Sequence, residues 1–306
     1  MKFLTQLFFT LLFVKGCTNF SDLGIENAND AYNKRYYQTA IHYANQILSE
    51  DSLNADAFLI RGKSYSKLNE RELALKDINS ALYLNPGFET YYNRALENFL
   101  NQYYSKAVED FDSAILYNDK NSEVYFSRAY TKYLLSDMDE AIKDYEKVIE
   151  LDSTSFKAYI NIGNILGSLG YGEQAVEKFT KAISIDPNNA DGYFNRGNQK
   201  LLMNDLEGGI EDLEKSLLID NKNVNALFLL AELKMKASDN LGSFEILNRI
   251  LSIEENPRAL FMRGSIYLKL EDRTNACSDF NRAGELGYFD AYEMINKYCA
   301  KPKKKK

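Results

Sequence analysis

Five arginines in this chain are each followed, sixteen residues later, by an aspartate: Arg61 and Asp77, Arg94 and Asp110, Arg128 and Asp144, Arg196 and Asp212, Arg263 and Asp279. A guanidinium is a planar fork of donors that matches a carboxylate edge to edge, so these residues could clamp each other or hold an anionic ligand. The pattern favours the clamp. At the equivalent places elsewhere the chain reads Asn27 and Tyr43, Ile162 and Lys178, Leu230 and Ile246, so arginine and aspartate are present together or absent together. Burying one charge without the other is costly, which accounts for the joint loss. Matching each aspartate with the next arginine along the chain does worse: Asp144 would face Ile162 and Asp212 would face Leu230. The expected bond therefore lies inside one local unit.

Little else in the chain could do chemistry. There is one histidine, His42, with no cysteine or carboxylate constellation around it, so neither a metal site nor histidine acid–base catalysis has its raw material. No Gly-rich loop is followed by Lys-Ser/Thr, and no nucleophile elbow is present. Residues 167–172, Gly-Ser-Leu-Gly-Tyr-Gly, are the one glycine cluster and read as a turn. A net charge of −7 lacks the basic excess that nucleic-acid binding usually needs. No cofactor, no metal and no enzymatic activity are expected.

The elements that position these residues come from an internal repeat. Small residues recur every 34 residues, or 33 at two of seven steps: Ala28, Gly62, Ala95, Ala129, Gly163, Gly197, Ala231, Gly264. Twelve residues further on, Ala40, Ala74, Ala107, Ala141 and Ala175 begin a second small column. A period of this length predicts helix pairs, each burying its apolar side on its neighbours. The repeats are placed at 21–54, 55–87, 88–121, 122–155, 156–189, 190–223, 224–256 and 257–290, each with a first helix, a short turn and a second helix. Leu68-Asn69, Ser136-Asp137 and Met203-Asn204-Asp205 supply turns within repeats; Asn85-Pro86, Asp186-Pro187 and Asp220-Asn221 supply stops between them. Residues 288–300 are expected to form a capping helix and 301–306 a basic, solvated tail.

These columns resemble the tetratricopeptide repeat family: aromatic or Leu at repeat position 4 (Phe58, Tyr91, Tyr125, Tyr159, Tyr193), small residues at 8 and 20, a large apolar residue at 24, a small-to-medium one at 27, and Pro at 32 (Pro86, Pro187). The resemblance implies an all-α fold, a right-handed superhelical α-solenoid of about eight helix-turn-helix repeats. It also implies that the first helices line a concave groove for a protein partner. The residues that fall there are Tyr92, Asn93, Phe126, Ser127, Tyr130, Asn161, Asn164, Phe194, Asn195 and Asn198. Asparagine offers both groups an extended backbone needs, and aromatics hold apolar side chains. The competing reading is that the aromatics are half buried and the asparagines only solvate the wall. The basic clamp that some family members use for a terminal carboxylate has one matching residue, Lys63.

Ahead of the repeats, Lys2 precedes an apolar run from Phe3 to Val14, too short to span a bilayer and of the length of a signal-peptide core. Residues 1–16 are expected to be a signal peptide and 17–20 a short linker. Val14-Lys15-Gly16-Cys17 resembles the lipobox of bacterial lipoproteins, with Lys15 where a small residue is usual. That resemblance implies lipidation of Cys17 and a lipid-anchored position in the cell envelope, at the outer membrane facing the periplasm. The alternative is an ordinary secretory signal in which Cys17 has no role. In an exported protein Cys277 and Cys299 either form a disulfide or remain two buried thiols. The functional expectation is a membrane-anchored, non-enzymatic scaffold that binds an extended peptide or protein segment within an envelope assembly; the alternative is a structural or chaperone-like subunit that uses its convex face or its termini.

Overall fold

A computed structural model describes residues 20–299, and among them every regular element is helical. The signal segment, Cys17 and the basic tail lie outside the described residues. The chain divides into two compact units, one ending at Ser153 and the other starting at Thr154. The division falls at the end of the fourth repeat, where the period of the sequence shows no break.

The N-terminal unit holds four helical hairpins: α1 (Phe20–Asn33) with α2 (Tyr37–Glu50), α3 (Ala55–Lys67) with α4 (Arg71–Leu84), α5 (Phe88–Leu100) with α6 (Tyr104–Tyr117), and α7 (Ser122–Leu134) with α8 (Met138–Leu151). The C-terminal unit holds four more: α9 (Phe156–Ser168) with α10 (Gly172–Ile185), α11 (Ala190–Leu202) with α12 (Leu206–Ile219), α13 (Val224–Lys236) with α14 (Asn240–Ile253), and α15 (Pro257–Lys269) with α16 (Arg273–Glu285). A short helix α17 (Asp290–Met294) then runs into a π-helical turn, Ile295–Cys299, where the sequence predicts one amphipathic α-helix over 288–300.

The small columns are where the paired helices touch. Ala28, Ala95, Ala129 and Ala231 are fully buried. Where glycine takes that place it is needed: a methyl group on Gly163 would lie 2.5 Å from the Phe179 ring. Phe179, Phe111, Tyr145 and Phe280 occupy repeat position 24 and are buried to within 2%. Each such ring gives its hairpin a core that a short helix pair would otherwise lack. First helices start on side-chain caps, as with Asn54, Asn121, Asn189, Asn223 and Asn256, whose carbonyl oxygens accept from backbone N–H groups of the first turn.

All eight turns inside the hairpins use one left-handed residue at the same repeat position: Arg35, Asn69, Gln102, Ser136, Gly170, Asn204, Ser238 and Glu271, with φ between 61° and 86°. This conformation suits glycine and, less well, asparagine. Five of the eight residues are neither, so the hairpin connection is held against local preference by the packing of the helices it joins.

Candidate functional site

The arginine–aspartate columns form clamps of one geometry. Arg61 donates from Nε and Nη2 to Asp77 at 2.6 and 2.8 Å. Arg94 meets Asp110 at 2.9 and 2.5 Å, and Arg128 meets Asp144 at 2.8 and 2.5 Å. Arg196 with Asp212 and Arg263 with Asp279 hold all four contacts at 2.8 Å. The carboxylates are buried and the guanidinium groups lie against rings, as Arg128 lies 5.5 Å from the centre of Tyr125.

The third arm of each arginine goes elsewhere, and sequence reasoning missed it. Nη1 donates to the preceding repeat: Arg61 to Asn45, Arg94 to Asn79, Arg128 to Asp112, Arg196 to Thr180 and Arg263 to Asn248. One guanidinium thus ties three helices. The signal was in the sequence. These acceptors share repeat position 25, which carries Asn, Asp or Thr before every arginine-bearing repeat and Glu146 or Glu214 before the two later repeats that lack one. Lys132 and Lys200 add a second cation to Asp144 and Asp212 at 2.9 and 2.8 Å. Burial would raise the Asp212 pKa, but hydrogen bonds from Arg196 and Lys200 outweigh it and hold the group below the usual carboxylate range. Each of the three nitrogens of these arginines donates to a protein acceptor, and the carboxylate occupies the Nε–Nη2 edge that would grip an anion.

The expected groove residues behave differently in the two units. In the N-terminal unit, Phe126, Ser127 and Tyr130 on α7 face Leu96 and Phe99 on α5 across a pocket of about 130 Å³ floored by Phe111. That volume approaches the roughly 150 Å³ of an apolar cavity known to take a benzene ring. Phe126 also packs edge-on against Tyr145, with ring centres 5.2 Å apart. Tyr92 stacks on Phe88, and its hydroxyl makes a long 3.5 Å contact with the Ser127 hydroxyl. Burial chiefly, with the nearby carboxylates of Glu123 and Glu89, pushes Tyr92 up to about 12 although the Ser127 contact acts the other way. Leu96 and Phe99 were not singled out by sequence, yet they occupy repeat positions 9 and 12 of the face the family resemblance names.

In the C-terminal unit the expected residues are engaged in other ways. Phe194 packs into the core cluster around Leu213 and Leu227. The Asn195 side-chain amide donates to the Asp191 carbonyl at 2.8 Å, one turn back on its own helix; Asn93 does the same to Glu89 at 2.7 Å. These amides are occupied locally rather than held out for a ligand backbone. Asn161 and Asn198 are half buried and Asn164 is exposed. The glycine cluster is a packing device: Gly167 and Gly172 make room for the buried Gln199 side chain, whose Oε1 lies 2.5 Å from where a Gly167 methyl would stand.

At the C-terminal end Cys277 and Cys299 form a disulfide, with Cα atoms 5.5 Å apart. It ties the π-helical turn to α16, and Tyr292 donates to the Gly284 carbonyl beside it. Among the described residues, no group of three or more His, Cys, Asp and Glu side chains could hold a metal ion, and no helix is long and apolar enough to cross a membrane.

Models described as TPR repeat match residues 131–170 and 171–201, and a model described as tetratricopeptide repeat matches 55–88 and 257–286. The chain carries tetratricopeptide repeats. No curated protein matches it. Solved structures similar to it include the C-terminal part of a TPR repeat-containing protein from Cytophaga hutchinsonii, with TM-score 0.66, 17% identity and coverage of 78% of this chain and 98% of the other. A tetratricopeptide repeat protein from Parabacteroides merdae matches with TM-score 0.56 and 18% identity over 92% of this chain and 99% of its own. YrrB, described as a TPR protein with an unusual peptide-binding site, matches with TM-score 0.53 and 22% identity over 61% of this chain and 96% of its own. At these identities the likeness establishes the fold, an all-helical tetratricopeptide solenoid, and nothing finer.

Proposed function

We propose that this protein is a non-enzymatic scaffold that binds an extended segment of another protein on the first-helix face of its repeats, and that a lipid on Cys17 anchors it in the bacterial cell envelope. Tetratricopeptide repeats generally mediate protein–protein interactions, which supports the general part of this reading. The observation that supports the binding part is the apolar pocket between α5 and α7, lined by Leu96, Phe99, Phe126 and Tyr130. Aromatic-walled pockets of this size hold the anchor residues that dominate interface energies. The face of the N-terminal unit is the better candidate, because the pocket lies on it, whereas Phe194 of the other unit packs into a core cluster.

Filling the pocket tests this. Ser127→Phe places a ring in the space, and partner co-purification from intact membranes should fall about tenfold while helicity and melting temperature hold. Undiminished co-purification removes the pocket from the binding surface. The anchor is tested separately: Cys17→Ser should release the protein from the membrane fraction, and retention without acyl mass on the mature chain ends that part.

The second reading, a subunit that docks through its convex side, draws on Tyr83 and Leu116, which end α4 and α6 exposed to 88% and 87%. Partner loss on Tyr83→Ser with Leu116→Ser, and not on Ser127→Phe, selects it.

A further inference from the structure

The pocket lies beside a row of exposed carboxylates. Asp56, Glu89 and Glu123 are exposed, occupy the same repeat position, and begin the face of three successive first helices, α3, α5 and α7. Among the described residues none of the three enters an ion pair; Glu89 receives a 3.4 Å contact from Asn93, and Glu123 interacts with the Tyr92 hydroxyl. Acidic residues in a first helical turn favour the helix dipole, which explains them singly. It does not explain their position, on one face, with the apolar pocket further along the same two helices. Of the lysines on that face, Lys63 is turned onto the Tyr32 ring at 5.0 Å, and Lys67 ends α3, at the opposite end from Asp56. Glu123, Ser127 and Tyr130 follow one another at helical spacing, so the carboxylate and the pocket lie on one stripe of α7. Glu89, Leu96 and Phe99 mark the matching stripe of α5.

We infer that the first-helix face of the N-terminal unit selects a basic partner segment: one apolar residue enters the pocket between α5 and α7, and a lysine or arginine about three residues away meets Glu89 and Glu123. The spacing follows from the helix. Seven residues of α-helix rise about 10 Å. Three residues of extended chain cover about the same distance. A carboxylate row next to an apolar pocket attracts a cation and repels an acidic segment, so it sets specificity more than total affinity. This inference rests on the groove reading above and adds the charge of the partner to it.

Fluorescence anisotropy with the purified full-length protein decides the matter. The probe is a labelled peptide, Gly-Ser-Phe-Ser-Ser-Lys-Ser-Arg-Gly-Ser; a second peptide replaces Lys and Arg by Glu, and a third replaces Phe by Ser. The basic peptide should bind about tenfold more tightly than the acidic one, and should weaken as salt rises from about 50 to about 200 mM. Glu89→Gln with Glu123→Gln should remove most of that preference, because each carboxamide keeps the shape of the carboxylate without its charge. Ser127→Phe should remove binding altogether. If the acidic peptide binds as tightly as the basic one while Ser127→Phe still abolishes both, the groove stands and the charge inference falls. If Ser127→Phe leaves the basic peptide bound, the pocket reading itself falls. No binding of the basic peptide up to about 1 mM protein overturns the inference. A tenfold gain on deleting residues 301–306, the chain's own Lys-rich tail, makes that tail the occupant and overturns the assignment to a foreign partner.

Discussion

The fourth and fifth repeats fill the same frame with different physics. In the fourth, Arg128 and Lys132 converge on the buried carboxylate of Asp144, and Arg128 reaches back to Asp112. In the fifth, the corresponding places are held by Ile162 and Leu166, both buried, and by Lys178. The first-helix faces diverge as well: Phe126, Ser127 and Tyr130 line a pocket, whereas Asn161 and Asn164 replace the latter two. The within-repeat turns differ in cost, with Ser136 at φ 65° and Gly170 at φ 86°. One architecture therefore accepts either an ionic or an apolar joint, provided each is complete. A half-ionic joint is the state to avoid, because an unpaired buried charge costs more than either alternative.

The largest effect should follow from opening a clamp that has no reserve. Asp279 is served by Arg263 alone, whereas Asp144 keeps Lys132 at 2.9 Å if Arg128 is lost. Arg263→Leu should therefore destabilise by about 3 kcal/mol and Arg128→Leu by about 2 kcal/mol in denaturant unfolding of the C-terminal and N-terminal repeats. Equal losses would show that the second cation contributes nothing.

Converting the fourth joint to the form of the fifth sharpens the comparison. Arg128→Ile with Asp144→Lys copies Ile162 and Lys178 of the fifth repeat. The structure shows that it would set the new lysine against Lys132. The pair of changes should stay about 2 kcal/mol below the parent, and adding Lys132→Leu should recover more than half of that. Recovery by the pair alone would contradict the role given to Lys132.

Acid titration reads the same joint through protons. The folded pKa of Asp212 is depressed, so its contribution is fully present above the unfolded value of about 3.9 and is lost as pH falls through the lower folded value. Stability measured from about pH 5 downward should fall in that window, and Arg196→Leu should flatten the fall. An unchanged slope would separate Asp212 from Arg196. The smallest effect concerns the turns. Ser136→Gly should stabilise by about 1 kcal/mol and Gly170→Ser should destabilise by a similar amount in thermal melts.

Much of this was legible in the residues. The period gave the hairpins, and joint presence gave the partners of the arginines before any coordinates. The third arm of each arginine was equally visible in repeat position 25, but a pairwise search for opposite charges passes over Asn45 and Thr180. The site was legible only as a face. Tyr130 and Asn164 hold the same register, and composition does not tell which face closes into a pocket. That depends on whether Phe99 and Leu96 stand opposite, and on whether an asparagine amide turns back to its own helix, as in Asn195. The left-handed turns at Gln102 and Glu271 were not marked by residue type at all, since helix packing imposes them.

The central claim is that partner contact lies on the fourth repeat's face and not on the fifth's. A photoreactive residue placed at Ser127, and in a second protein at Asn161, tests it in intact cells, with crosslinked segments identified by mass spectrometry. A crosslink is expected from Ser127 to a partner segment bearing lysine or arginine near an apolar residue, and none from Asn161. Crosslinking from Asn161 with silence at Ser127 would contradict it.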